Sequence, residues 1–296
     1  MKRLALAVLI AVGLGLGGAW VAGSIMVGPH SSLVPAPAPP GRVVHLMSSD
    51  DIEIAGSYWP GVRPDSPAIL LLHGVDSSRA SFARHVAWLN GLGYAVLTID
   101  FRGHGESGPA ARSFGLNEAR DAAAGVAFLR HAAPSRRIAV IGTSLGGAAA
   151  LLGDGGPLPV QAMVLQAVYP DLRDAIANRI AQRLGWLLGD LGEPFLSFQS
   201  WPRFGVPPGR LAPIDAVRHY PGPVLIIGGE EDRSTPPAET RALYEAAAGP
   251  KALWLLPGIG HAEAGTVFTD AYRTRVGAFL HRFLGDPAQA VGITVR

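Results

Sequence analysis

The chain has no cysteine. That excludes disulfides, thiolate metal sites, a cysteine nucleophile and a lipidated cysteine. It leaves the compartment open, because exported chains can lack disulfides. Charge is also scarce. Charged residues make up 16% of the chain, the formal net charge is +2, and the pI near 9.1 reflects a small excess of arginine. No basic stripe interleaved with aromatics appears, so no nucleic-acid partner is expected. The nine histidines are scattered, with no H-x-x-x-H or H-E-x-x-H pattern, so no metal site is expected. Apolar residues, by contrast, are plentiful. At 48% of 296 residues they are ample for the core of one large α/β domain with extras, or of two small domains.

The apolar excess is partly concentrated at the amino terminus. Lys2 and Arg3 precede an uncharged run over residues 4–27, long enough to span a bilayer at about 1.5 Å per residue. We read residues 1–28 as a retained signal-anchor, with a signal peptide cleaved near Val21-Ala22-Gly23 as the alternative. In either case Lys2 and Arg3 stay cytoplasmic and the rest of the chain is exported. The catalytic part then lies outside the cytoplasm, anchored to the inner membrane or free in the periplasm or medium. Gly13-Leu14-Gly15-Leu16-Gly17-Gly18 formally matches G-x-G-x-x-G, but no strand precedes it, so it is not a dinucleotide site. Residues 29–41 read as a linker, stiff and extended where Pro alternates with Ala over 34–41.

Residues 42–296 read as one domain. Short apolar runs at 68–72, 94–99, 137–141, 160–167, 224–228 and 252–256 alternate with helical stretches at 80–92, 117–131 and 272–284. Continuous apolar strands separated by helices predict a mostly parallel sheet covered on both faces, led by an antiparallel hairpin over 43–59. Residues 171–213 break the rhythm and are rich in Trp, Phe and Leu. They are expected to form a small cap insertion that roofs the site.

Chemistry is expected at the carboxyl ends of such strands. There the sequence offers His73-Gly74-Val75-Asp76, then Asp100-Phe101-Arg102-Gly103-His104-Gly105-Glu106-Ser107. Gly142-Thr143-Ser144-Leu145-Gly146 follows the third run, Gly229-Glu230-Glu231-Asp232 the fifth, and Gly260-His261 the last. The pentapeptide alone carries little weight. With 38 glycines and 17 serines, chance supplies about 0.3 G-x-S-x-G matches in a chain of this length. Its setting carries more, because a β-branched run, a small-residue turn and an Ala/Leu run make a strand, a sharp turn and a helix. A hydroxyl becomes a nucleophile when a base removes its proton, and that base needs an anion to hold its ring. Ser144, His261 and Asp232 fill these roles. Asp232 has competitors in the adjacent Glu230 and Glu231. Backbone N–H groups of Leu145, at the start of the following helix, and Val75 are the expected oxyanion donors. His73 and His104 are read as loop ties, Arg102 as a loop clamp, and His219 and His281 as surface residues.

With these five elements in this order, residues 43–285 resemble the α/β-hydrolase superfamily, and most closely the membrane-anchored Bem46-like and serine aminopeptidase-like (S33-type) hydrolases. The resemblance implies an α/β-hydrolase fold and cofactor-free cleavage of an ester-type acyl bond through an acyl-enzyme on Ser144. The expected substrate is a small-molecule acyl ester and the expected enzyme a carboxylesterase. A peptidase, thioesterase or acyltransferase on the same triad is the alternative within enzymes, and a non-catalytic binding protein on this fold is the alternative outside them. Oligomeric state is not fixed by the sequence.

Overall fold

The computed structural model describes residues 2–134, 136–261 and 267–288. The eight residues 289–296 of the expected domain, and Met1, lie outside them. The strands are β1 (His30–Ser31), β2 (Arg42–Met47), β3 (Glu53–Trp59), β4 (Ala68–Leu72), β5 (Ala95–Ile99), β6 (His104–Gly105), β7 (Ile138–Thr143), β8 (Ala162–Gln166), β9 (Val224–Gly229) and β10 (Lys251–Leu256). Eight of them form one sheet in the order β10-β9-β8-β7-β4-β5-β3-β2. β2 and β3 form the expected antiparallel hairpin, β3 pairs antiparallel with β5, and every other neighbour in this sheet is parallel.

The inner strands β4, β5, β7 and β8 bury nearly every residue, which is why they read as unbroken apolar runs rather than alternations. The main helices are α1 (Lys2–Val27), α2 (Ala83–Gly91), α3 (Glu118–Ala132), α4 (Leu145–Leu151), α5 (Leu172–Leu184), α6 (Trp186–Ser197), α7 (Ser200–Phe204), α8 (Pro213–Val217), α9 (Pro237–Ala246) and α10 (Asp270–Leu284). Side chains of α3, α4 and the start of α5 pack with Leu70, Leu97 and Val140 on one face of the sheet. Side chains of α2 and α10 pack with Ile69, Leu71 and Ile141 on the other. The fold is therefore the expected α/β-hydrolase fold, with a mostly parallel sheet and helices on both faces.

Helices α5, α6 and α7 fill the interval between β8 and β9 over which the cap was expected. α5 starts at Asp171, whose side chain accepts from Arg173 N at 2.7 Å and so caps the first turn. The cap is pinned to the loop after β9. Asn178 Nδ2 donates to Glu239 Oε1 at 2.6 Å, and Gln182 Nε2 donates to Ser234 Oγ at 3.1 Å.

The amino-terminal segment departs from expectation. Among the described residues, no helix is long and apolar enough to cross a membrane. α1 meets the protein at its carboxyl end. Its last third is committed to the protein: Gln199 Nε2 donates to Ala19 O at 2.8 Å, and Arg203 Nη2 to Trp20 O at 3.0 Å. Met26 packs against the core. A Cβ at Gly23 would lie 2.8 Å from Gln199 Cδ, so any larger residue there must displace the Gln199 amide. Residues 29–41 continue over the domain in extended form. β1 pairs parallel with β6, His30 N donates to Gly103 O at 2.6 Å, and Trp59 Nε1 donates to Ala38 O at 3.0 Å.

Candidate active site

β7 delivers Ser144 at its carboxyl end, and the helix that follows begins at the next residue. Ser144 has φ 48° and ψ −110°, a region that non-glycine residues avoid at about 1–3 kcal/mol. The strain is held by hydrogen bonds on both sides: Ser144 N donates to Gln166 O at 2.8 Å, and Ser144 O accepts from Ala148 N at 3.0 Å. The tightness of this turn explains its glycines. A Cβ on Gly146 would lie 2.5 Å from the carbonyl carbon of Leu72, and one on Gly142 would lie 2.7 Å from Gly147 N. α4 can therefore seat against the end of β4 only with hydrogen at position 146. Asp76 and Ala167, just past β4 and β8, also hold positive φ, so backbone strain gathers at the strand ends around Ser144.

The three predicted side chains meet. Ser144 Oγ lies 3.5 Å from His261 Nε2, and His261 Nδ1 donates to Asp232 Oδ2 at 2.8 Å. The long first distance is ordinary for a site without substrate. Asp232 is buried, and its other oxygen accepts from Ser234 N and Thr235 N, both at 2.8 Å. Glu230 and Glu231 face solvent, so of the three adjacent carboxylates only Asp232 reaches the histidine. Leu145 N is the first amide of α4, where the N–H groups have no intrahelical partner. Val75 follows Gly74, where a Cβ would sit 3.8 Å from Ser144 Cβ. The two expected oxyanion donors thus flank the serine.

The remaining histidines and Arg102 are structural ties. His73 is fully buried, with Nδ1 2.7 Å from Gly74 O and Nε2 accepting from Phe101 N at 3.1 Å. Burial, reinforced by the neighbouring His104, holds its pKa down to about 3. His104 Nδ1 lies 3.0 Å from Arg102 O, and burial lowers its pKa too. Arg102 bonds Asp121, Asp50 and Ser48 at once. His219 and His281 are exposed.

Sequence reasoning missed two features. Arg79, buried in the turn before α2, pairs with Asp100 and Glu106 and donates to Ser57 Oγ at 3.1 Å. It knots the loop after β5 to the hairpin, and no local pattern announces a partner 21 residues away. Arg179 on α5 was also unmarked. Burial lowers its pKa, against the pull of the charges of Tyr169, Asp232, Glu239 and Asp76. It lies in the interval between β8 and β9, with Asp232 among the acids around it. Among the described residues, no His, Asp or Glu group clusters as metal ligands would.

The fold and this strand-end arrangement define a hydrolase of the α/β class. A model of the alpha/beta hydrolase family matches residues 69–274, and the chain belongs to that family. It is 31% identical over 250 residues to an uncharacterized protein of Mycobacterium tuberculosis, covering 82% of this chain and 80% of that one. It is 28% identical over 258 residues to the alpha/beta hydrolase domain-containing protein WAV2 of Arabidopsis thaliana, covering 79% and 81%. Among solved structures, an esterase of Pyrococcus furiosus aligns with a TM-score of 0.69 at 26% identity, over 88% of this chain and all of that one.

Proposed function

We propose that this protein is a serine carboxylesterase that cleaves ester-type acyl bonds through an acyl-enzyme on Ser144. The single observation that carries the reading is the hydrogen-bonded relay from Asp232 through His261 toward Ser144, with the serine raised on a strained turn. In the forward step the Ser144 proton passes to His261 Nε2 while Oγ bonds the acyl carbon. Asp232 holds the ring and offsets the imidazolium charge. The Val75 and Leu145 N–H groups take the developing oxyanion. His261 then gives the proton to the leaving alcohol, and water reverses the sequence to free the acid. The esterase similarity supports this chemistry. The membrane-anchored Bem46-like branch remains our reading of the subfamily, with the domain exported behind Lys2 and Arg3.

A fluorophosphonate probe is expected to label the wild-type protein and not Ser144→Ala. Hydrolysis of p-nitrophenyl butyrate by that variant is expected to fall on the order of 10⁴-fold in kcat. Retention of a tenth of wild-type turnover refutes the assignment.

A further inference from the structure

The cap has an outer surface that the domain does not use. α6 turns Trp186, Leu187, Leu191 and Phe195 to solvent, and Phe198 and Trp201 continue the patch. Each is more than half exposed, and Trp186 is 73% exposed. Together they present on the order of 600 Å² of apolar surface, at the upper limit of what a soluble monomer shows in one patch. Asp190 is the exposed acid of this helix; its other acid, Glu193, is buried and paired with Arg173.

This patch runs into α1. Arg203 on α7 donates to Ser24 Oγ at 2.9 Å and stacks its guanidinium 4.0 Å from the centre of the Trp20 ring, so α1 leaves the protein beside the cap. Outward from there, Gly13, Gly15, Gly17 and Gly18 all have open space where a Cβ would stand. Leu9, Leu14 and Leu16 are more than half exposed. This free part, residues 2–18, is roughly 25 Å long at 1.5 Å per residue. That is close to the hydrocarbon thickness of about 30 Å, so the segment can bury its apolar side chains while Lys2 and Arg3 at its tip snorkel to a headgroup layer. Trp20, Trp186 and Trp201, three of the six tryptophans of the chain, mark the junction, as tryptophans do at the lipid–water boundary.

We propose that the outer face of α6 and α7 and the free part of α1 form one lipid-docking surface, which seats the cap on a bilayer. The ester presented to Ser144 is then a long-chain acyl ester resident in that bilayer. The docking stands on the surface alone; the substrate class rests on the esterase reading. α5, hydrogen-bonded to Ser234 in the loop that carries Asp232, belongs to the same insertion as this surface.

The absence of native cysteine makes the test clean. Full-length chains carrying Leu187→Cys or Val62→Cys are labelled with a polarity-sensitive dye and placed in phosphatidylcholine vesicles. Val62 is exposed before β4, at the opposite end of the strands. The dye at 187 is expected to shift to the blue and to be at least fivefold better protected from iodide than the dye at 62. Equal quenching at both positions overturns the docking. So does protection at 187 that appears without vesicles and grows with protein concentration, which is the signature of a second copy. In parallel, the combined variant Leu187→Ser, Leu191→Ser, Phe198→Ser is expected to lose at least tenfold in hydrolysis of a palmitoyl ester held in the vesicles. Its hydrolysis of dissolved p-nitrophenyl butyrate is expected to be unchanged. Equal effects on the two esters overturn delivery from lipid. A wild-type protein that cleaves neither ester overturns the esterase reading, while the dye contrast still decides the docking.

Discussion

Asp232→Asn isolates the role of the anion from the shape of the site. In the wild type Oδ1 is committed to the Ser234 and Thr235 amides, both at 2.8 Å, and Oδ2 accepts from His261 Nδ1 at 2.8 Å. An asparagine must keep its oxygen toward the two backbone donors, because turning the amide would set NH₂ against two N–H groups. Each lost bond leaves a buried donor unsatisfied, at about 1–3 kcal/mol. The NH₂ therefore faces His261, which must offer a lone pair at Nδ1 and carry its proton on Nε2. Nε2 can then no longer accept the Ser144 proton. A wrong tautomer of this kind lowers kcat by about 10⁴, which is about 5.5 kcal/mol of lost transition-state stabilisation. The assay is kcat/KM for p-nitrophenyl butyrate beside a thermal melt. Because the amide keeps the size and the Oδ1 bonds of the acid, Tm is expected to change by no more than about 2 °C. Asp232→Ala, which orphans both amides, is expected to lose Tm as well as activity. Glu230→Gln and Glu231→Gln, on solvent-facing neighbours, are expected to change turnover less than twofold. An Asp232→Asn protein within tenfold of wild type, or a Glu230→Gln protein equally damaged, refutes the reasoning.

Two further outcomes follow from the turn and the cap. Gly146→Ala sets a Cβ 2.5 Å from the Leu72 carbonyl carbon. That is backbone which cannot rotate away, so destabilisation of about 3 kcal/mol and a Tm loss of roughly 10 °C are expected by calorimetry. Gly15→Ala, in open space, serves as the control with no loss. Glu239, half-buried where the cap meets the loop after β9, has its pKa raised from 4.5 to about 7 by burial. A carboxyl raised in the folded state binds its proton more tightly there, so its ionisation draws stability away as pH climbs from about 4.5 through 7. The full shift sets a ceiling of about 3 kcal/mol, and partial exposure reduces it to about 1 kcal/mol. Glu239→Gln is therefore expected to match wild type at about pH 4 and to melt about 2 °C higher at pH 8.5. A variant that melts lower at pH 8.5 contradicts the assignment.

The sheet was legible because its inner strands are buried on both faces and leave unbroken apolar runs. Ala68–Leu72 coincides with the predicted segment, and β9 differs from it by one residue. The strand-end residues Ser144, Asp232 and His261 were legible because a parallel sheet places every such loop on one edge. Other features were not. What excludes Glu230 and Glu231 is their exposure beside a buried Asp232, which three adjacent acids do not reveal. The Arg79–Asp100–Glu106 knot joins residues with no shared periodicity. The fate of α1 was hidden for a different reason. Residues 4–27 have a uniform apolar composition, yet their last third is held by contacts with Gln199 and Arg203 some 180 positions away.

His73 shows how these structural ties reach the chemistry. Its Nε2 accepts from Phe101 N, so its proton must lie on Nδ1, which therefore donates to Gly74 O at 2.7 Å. In a planar trans peptide the carbonyl and the next N–H point in opposite directions. Fixing Gly74 O on one side therefore turns Val75 N–H to the other, and Gly74 itself packs against Ser144 and Thr143. The donor proposed for the oxyanion is thus aimed by a neutral imidazole that touches no substrate. Neutrality is required, because an imidazolium has no lone pair for the Phe101 amide and would release that anchor. Full burial and the adjacent His104 keep the His73 pKa near 3. His261, a quarter exposed, is by contrast the ring proposed to carry the proton. Two imidazoles thus divide the site: a buried ring holds a peptide still, and a partly exposed ring stands 3.5 Å from Ser144 Oγ.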